Sequence, residues 1–209
     1  MYDALLFDLD GTLIDTERLA IASGLAAFAD AGFPVDLSFM HSLVGIDGPS
    51  SARLIKGHRP DIDVAILDEC WRREFRAAID LGLELKPGVH ELFAQTLHFP
   101  KAIVTSSSRR EAHNKLGLVG LSEAFAHVVT VDDVTRPKPA PEPYLIAAEL
   151  LGVSPARCLV FEDSEAGSEA AHRAGCIVVQ VPDVVPSQGR WAHHLADDLL
   201  AGARAAGLI

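Results

Sequence analysis

Short apolar segments, separated by stretches with helical spacing, recur through much of this 209-residue chain. Residues 5–7, 102–104 and 158–161 are such segments, and they contain mainly Leu, Ile, Val and Phe. Apolar strands that alternate with helices are typical of a parallel sheet covered on both faces. The sequence therefore predicts an α/β fold with a doubly wound, Rossmann-like parallel sheet.

Residues 16–83 interrupt this alternation. Their apolar residues recur at helical spacing in four successive segments, and none of these segments has the pattern of a strand. We therefore predict a small helical-bundle domain of residues 16–83, inserted as a cap into a core domain of residues 1–15 and 84–209. The last predicted element of the core is a helix over residues 191–200.

Oxygen-bearing side chains follow three of the predicted strands. Asp8 and Asp10 end the first, Thr105 and Ser106 the second, and Glu162 with Asp163 the third. Parallel sheets bind ligands beyond the carboxyl ends of their strands. We therefore expect these side chains to form one site.

The two carboxylates of Asp8 and Asp10 predict a cation at this site. Carboxylates this close repel each other unless a cation or a shared proton reduces the repulsion. The adjacent acids Glu162 and Asp163 suit a hard, oxygen-liking ion such as Mg²⁺. Lys138, in a loop stiffened by prolines, supplies a further positive charge.

Composition limits the partners and the compartment. The formal net charge of −11 and the isoelectric point of about 5.2 disfavour nucleic acid as a partner. The three cysteines form no metal-like cluster, and no apolar run is long enough to cross a bilayer. We expect a cytoplasmic monomer that binds neither nucleic acid nor a membrane.

Four motifs of the chain resemble those of the haloacid dehalogenase superfamily. Asp8 to Leu13 has the complete form D-x-D-G-T-hydrophobic, and Thr105 or Ser106 matches the second motif. Lys138 matches the third, and residues 162–167 resemble the fourth in its E-D-S-x-x-G form. The resemblance extends over nearly the whole chain and is to the helical-cap branch of β-phosphoglucomutases and sugar-phosphate phosphatases.

This resemblance implies a Mg²⁺-dependent phosphatase that hydrolyses a small phosphorylated metabolite, such as a sugar phosphate. In the implied mechanism Asp8 becomes an aspartyl phosphate, and Asp10 gives and then takes a proton. The implied phosphate ligands are Thr105, Ser106 and Lys138. The implied metal ligands are Asp8, the carbonyl group of Asp10, Glu162 and Asp163.

Two other functions remain open. A β-phosphoglucomutase shares the core but returns the phosphoryl group to a sugar, and its cap loop usually reads Lys-Gly-x-Ser-Arg. Here the loop of residues 44–50 lacks both cations, while Gly45 and Asp47 are placed to contact substrate. A receiver-type phospho-accepting module also pairs a strand-end Asp with acids and a Lys, but it lacks the helical insert and the D-x-D-G-T motif.

Overall fold

One parallel sheet determines where the ends of the strands lie. The computed structural model describes residues 1–44 and 48–209. In chain order the strands of the sheet are β1 Ala4–Phe7, β2 Lys101–Val104, β3 His127–Val129, β4 Cys158–Glu162, β5 Ile177–Gln180 and β6 His194–Leu195. They lie in the order β3-β2-β1-β4-β5-β6, and all the pairings are parallel. This parallel sheet confirms the predicted α/β class. The strand order reverses beside β1, and doubly wound sheets bind ligands at such a reversal.

Helices cover both faces of this sheet. The α-helices of the described chain are α1 Thr16–Asp30, α2 Leu37–Leu43, α3 Gly48–His58, α4 Val64–Leu81, α5 Val89–Gln95, α6 Arg109–Leu118, α7 Glu142–Leu150, α8 Glu165–Arg173 and α9 Leu199–Ala205. On one face, α7 and α8 pack with Leu6 and Val160 in a single buried cluster. On the other face, the ring of Phe93 in α5 lies 5.4 Å from that of Phe7. Successive residues of β1 therefore point into two cores, and all four are fully buried.

The described chain divides into two compact units, residues 1–15 with 84–209 and residues 16–83. The first unit contains the sheet. The second contains α1 to α4 and has its own core, in which the indole N–H of Trp71 donates to the carbonyl of Ala20 at 2.9 Å. The role of the second unit as a cap stays a prediction. No helix in the described parts of the chain is long and apolar enough to cross a membrane.

The prediction of a final helix over residues 191–200 is wrong. Residues 194 and 195 form the edge strand β6 instead, because His193 before them bonds to the neighbouring strand β5. The backbone N–H of His193 donates to the Val178 carbonyl at 2.9 Å, and the Val178 N–H donates to His193 Nδ1 at 3.0 Å. The last helix begins only at Leu199, where the Asp198 side chain accepts from Ala201 N at 2.7 Å as an N-cap.

Candidate active site

Asp8 is the first residue after the central strand. Its backbone N–H donates to the carbonyl of Phe161 in β4 at 3.0 Å, and its side chain is only 10% exposed. Gly11, three residues later, has a φ of 80°, and any side chain there would collide with the Asp163 carboxylate. Glycine is therefore required both for the turn and for the close approach of Asp163.

Lys138 joins the ends of three strands. Its ammonium group donates to Asp8 Oδ1 at 2.6 Å, to the Val104 carbonyl at 2.8 Å and to Glu162 Oε1 at 2.5 Å. An ammonium group has three donors, so all of them are used. Burial opposes the charged form of Lys138, but the two carboxylates outweigh it and raise the lysine pKa. Lys138 is thus a fixed cation at this edge of the sheet.

Glu162 is fully buried and holds Lys138 in place. Its Oε1 also accepts from the Tyr144 hydroxyl at 2.7 Å. Its Oε2 accepts from the backbone N–H of Asp163 at 3.2 Å, and from the N–H and hydroxyl of Ser164 at 3.3 and 3.1 Å. A side chain at Gly167 would collide with this carboxylate, so glycine lets α8 approach it. The two oxygens of Glu162 therefore receive five hydrogen bonds.

Three carboxylates lie close enough to hold one metal ion. One oxygen from each of Asp8, Glu162 and Asp163 lies within 4.8 Å of the others. Burial raises the pKa of Asp8 to about 7; Lys138 opposes this rise, and the charge of Glu162 adds to it. Burial, and then the charges of Asp8 and Glu162, raise the pKa of Asp163 well above its ordinary value. One buried lysine does not balance this negative charge, which favours a further cation.

The Asp10 carboxylate lies apart from that cluster and has its own cation. Lys115 Nζ donates to Asp10 Oδ1 at 2.6 Å, and the Ser107 hydroxyl donates to Asp10 Oδ2 at 2.7 Å. Thr105 is buried, and its hydroxyl oxygen accepts from the Ser107 N–H at 3.1 Å, while Ser106 is exposed. The strand end after β2 therefore brings Thr105 and Ser107 to the site.

Sequence reasoning missed Ser107, Lys115 and Tyr144. Ser107 belongs to the serine run after β2, and that run was a local signal that could have identified it as a site residue. A single Lys or Tyr within a helical segment carries no such signal. Gly45 and Asp47, predicted to contact substrate, lie outside the described residues.

Comparisons with known proteins agree with this geometry. Residues 5–181 match the model of the family described as haloacid dehalogenase-like hydrolase. Validoxylamine A 7'-phosphate phosphatase of Streptomyces hygroscopicus is 34% identical over 186 residues, which is 86% of this chain and 85% of that protein. Fructose-1-phosphate phosphatase of Escherichia coli is 32% identical over 181 residues, covering 86% of this chain and 96% of that protein.

A solved structure is also similar over the full length of the chain. A hydrolase of the same family from Deinococcus radiodurans, crystallised with bound phosphate and sodium, has a TM-score of 0.85 at 27% identity. The match covers 100% of this chain and 97% of that one. The chain therefore belongs to the haloacid dehalogenase-like hydrolase family. The protein is a phosphoric monoester hydrolase, as its named relatives are phosphatases.

Proposed function

We propose that this hydrolase is a Mg²⁺-dependent phosphatase that cleaves a small sugar phosphate through an aspartyl phosphate at Asp8. The observation that carries the proposal is the arrangement around Asp8. Its buried carboxylate follows the central strand and bonds to Lys138 at 2.6 Å, with the Asp163 carboxylate beside it. A nucleophile, a fixed cation and acidic metal ligands are the parts that phosphoryl transfer needs.

The residues present fit a magnesium ion. Its proposed ligands are Asp8, Asp163 and the carbonyl group of Asp10, all of them the oxygen donors that Mg²⁺ prefers. Glu162 fits this role less well than its sequence position predicted, because its oxygens already receive five hydrogen bonds and a carboxylate offers about four lone-pair sites. We assign Glu162 to holding Lys138. When bound, the ion supplies positive charge that reduces repulsion between the Asp8 carboxylate and an anionic ester.

A buried oxygen without a partner supports a hydrated cation here. Asp183 Oδ2 has no hydrogen-bond partner among the described residues. It lies close to the position that a side chain on Gly11 would take, where the Asp163 carboxylate also lies. The other oxygen of Asp183 accepts from Lys86 Nζ at 2.6 Å. A magnesium ion usually keeps several waters, and one of them would donate to Asp183 Oδ2.

The other residues of the site divide the remaining work. Lys138 holds Asp8 in position and attracts the phosphate. The Thr105 hydroxyl and the backbone after it bind phosphoryl oxygens, with Ser106 as a second donor. Asp10 gives a proton to the leaving oxygen and later takes one from the attacking water.

Two relatives support a sugar-like substrate. One is named for fructose 1-phosphate and the other for validoxylamine A 7'-phosphate. The β-phosphoglucomutase alternative shares the core residues, but the loop of residues 44–50 lacks the two cations of the usual mutase loop. We therefore favour transfer of the phosphoryl group to water.

The proposal is tested by release of inorganic phosphate from a panel of phosphorylated metabolites. We expect the purified protein to hydrolyse one or more sugar monophosphates with Mg²⁺ and to release no phosphate after treatment with a chelator. The Asp8→Asn variant, prepared in parallel, controls for contaminating phosphatases. Equal activity in that variant, when a mock purification from cells without the protein releases no phosphate, would refute the aspartyl-phosphate mechanism.

A further inference from the structure

Both oxygens of the Asp10 carboxylate are fixed by Lys115 and Ser107. Lys115 Nζ donates to Oδ1 at 2.6 Å, and the Ser107 hydroxyl donates to Oδ2 at 2.7 Å. Lys115 Nζ also donates to the Ser107 hydroxyl oxygen at 3.0 Å. The three side chains therefore close a ring of three hydrogen bonds, and each of these bonds involves a charged group. Bonds of this kind set the orientation of the carboxylate.

The location of Lys115 indicates that this contact is not incidental. Its side chain is only 8% exposed, on a face of α6 whose other buried residues are Ala112 and Leu116. Burial of an ammonium group is costly, and an apolar side chain in such a position is often equally stable or more stable. Asp10 is the carboxylate that this buried cation contacts.

We propose that Lys115 and Ser107 are positioning residues that orient Asp10 for proton transfer, a role that rests on the proposed function. Lys115 can only donate, so Oδ1 of Asp10 stays an acceptor and the transferable proton is carried by Oδ2. The Ser107 hydroxyl both donates and accepts, so it can bond to Oδ2 with or without that proton. Neither residue needs to touch the substrate.

The two steps of the reaction use this arrangement in opposite directions. In the first, the bond from phosphorus to Asp8 forms, the bond to the leaving oxygen breaks, and a proton moves from Asp10 Oδ2 to that oxygen. In the second, the oxygen of a water molecule binds phosphorus, the bond to Asp8 breaks, and a proton of the water moves to Asp10 Oδ2. Lys115 takes no part in either proton transfer.

Dependence on the leaving group distinguishes this role from a structural one. A sugar alkoxide needs a proton to leave, whereas 4-nitrophenolate leaves without one, so only the first ester depends on a well-placed Asp10. We expect Lys115→Met to slow single-turnover cleavage of fructose 1-phosphate about ten to a hundred times more than cleavage of 4-nitrophenyl phosphate. Ser107→Ala should have a smaller effect in the same direction.

Three further variants serve as controls. Arg110→Met removes an exposed cation from the same helix and should leave the ratio of the two rates unchanged. Lys115→Arg keeps a donor and should recover part of the loss on fructose 1-phosphate. In an Asp10→Asn background, Lys115→Met should cause little further loss, because its effect passes through Asp10.

Each outcome decides the question. Equal losses on both esters, or an undiminished effect of Lys115→Met in the Asp10→Asn background, would overturn the positioning role and leave the proposed function standing. If the wild-type protein prefers another sugar monophosphate of the panel, that ester replaces fructose 1-phosphate in the comparison; a wild-type protein that cleaves no sugar monophosphate of the panel would overturn both. Circular dichroism checks folding, and if Lys115→Met does not fold, Ser107→Ala decides by the same comparison of esters.

Discussion

Replacement of Asp8 by asparagine should abolish turnover and, without metal, stabilise the protein. The amide keeps the shape of the side chain but cannot act as the nucleophile. It also removes one of the negative charges that crowd this edge of the sheet. Lys138 keeps its bonds to Glu162 at 2.5 Å and to the Val104 carbonyl at 2.8 Å, so the variant does not leave a buried cation unpaired.

The size of the stabilisation follows from the pKa of Asp8. Burial raises this pKa from 3.8 to about 7 in the folded protein. Between these two values the folded protein binds more protons than the unfolded chain, so wild-type stability falls as pH rises from about 4 to about 7. The loss reaches about 4 kcal/mol and does not grow further above pH 7. The variant has no carboxyl group here and escapes this loss.

The difference in unfolding free energy between Asp8→Asn and wild type should therefore increase with pH. We expect it to be near zero at about pH 4 and to reach at most about 4 kcal/mol by about pH 8. In a protein of this size each kcal/mol corresponds to about 2–4 °C in Tm. Calorimetry or urea unfolding in a chelator, at several pH values, measures the difference.

Asp197→Asn is a matched control, because it removes an exposed carboxylate from the same unit and should change stability by less than about 0.5 kcal/mol. A less stable Asp8→Asn variant, or a difference that does not change with pH, would refute the reasoning from burial. Turnover by the purified variant would instead refute the assignment of the nucleophile.

Three further predictions follow from the site. Chelation should stop phosphate release and Mg²⁺ should restore it, while Ca²⁺ should restore it poorly because its coordination is larger and looser; full activity after chelation would contradict the metal site. Phosphate release from a sugar monophosphate should exceed conversion of β-glucose 1-phosphate to glucose 6-phosphate in a coupled assay primed with a bisphosphate; faster isomerisation would favour the mutase. Tyr144→Phe should lower the free energy of unfolding by about 1 kcal/mol, because it removes one hydrogen bond to Glu162. Glu162→Gln should lower it by more, because it breaks a buried ion pair with Lys138. Urea unfolding measures both values, and a larger effect of Tyr144→Phe would contradict the role of Glu162 in holding Lys138.

The core of the fold could be predicted because its signals are local. The segment that forms β1 is fully buried and apolar, and the two carboxylates of Asp8 and Asp10 and then Gly11 follow it. The same pattern of a strand that ends in polar residues repeats at Thr105 and at Glu162. Since parallel strands end at one edge, the meeting of these side chains follows from the order of the elements. The structure brings Asp8 and Glu162 together at this edge, and Lys138 from the loop after β3 bonds to both.

The C-terminal region shows where such reasoning fails. The predicted helix from Trp191 does not form, because pairing with β5 at the sheet edge determines the structure of residues 193–195. Edge pairing depends on which strand lies nearby, and the local sequence does not contain that information. The Asp198 N-cap was a local signal for the true start of α9 and was missed.

The two acids of the D-x-D motif show why the site needed the structure as well. On a strand, two carboxylates one residue apart share a face, and this pattern alone gives them the same surroundings. The strand ends at Phe7, however, and each acid then has its own buried lysine, Lys138 for Asp8 and Lys115 for Asp10. Lys115 follows Asp10 by 105 positions, so its contact arises only from packing of α6. The surroundings of the two acids therefore differ because of lysines that are distant from them in the sequence, and no local pattern contains that difference.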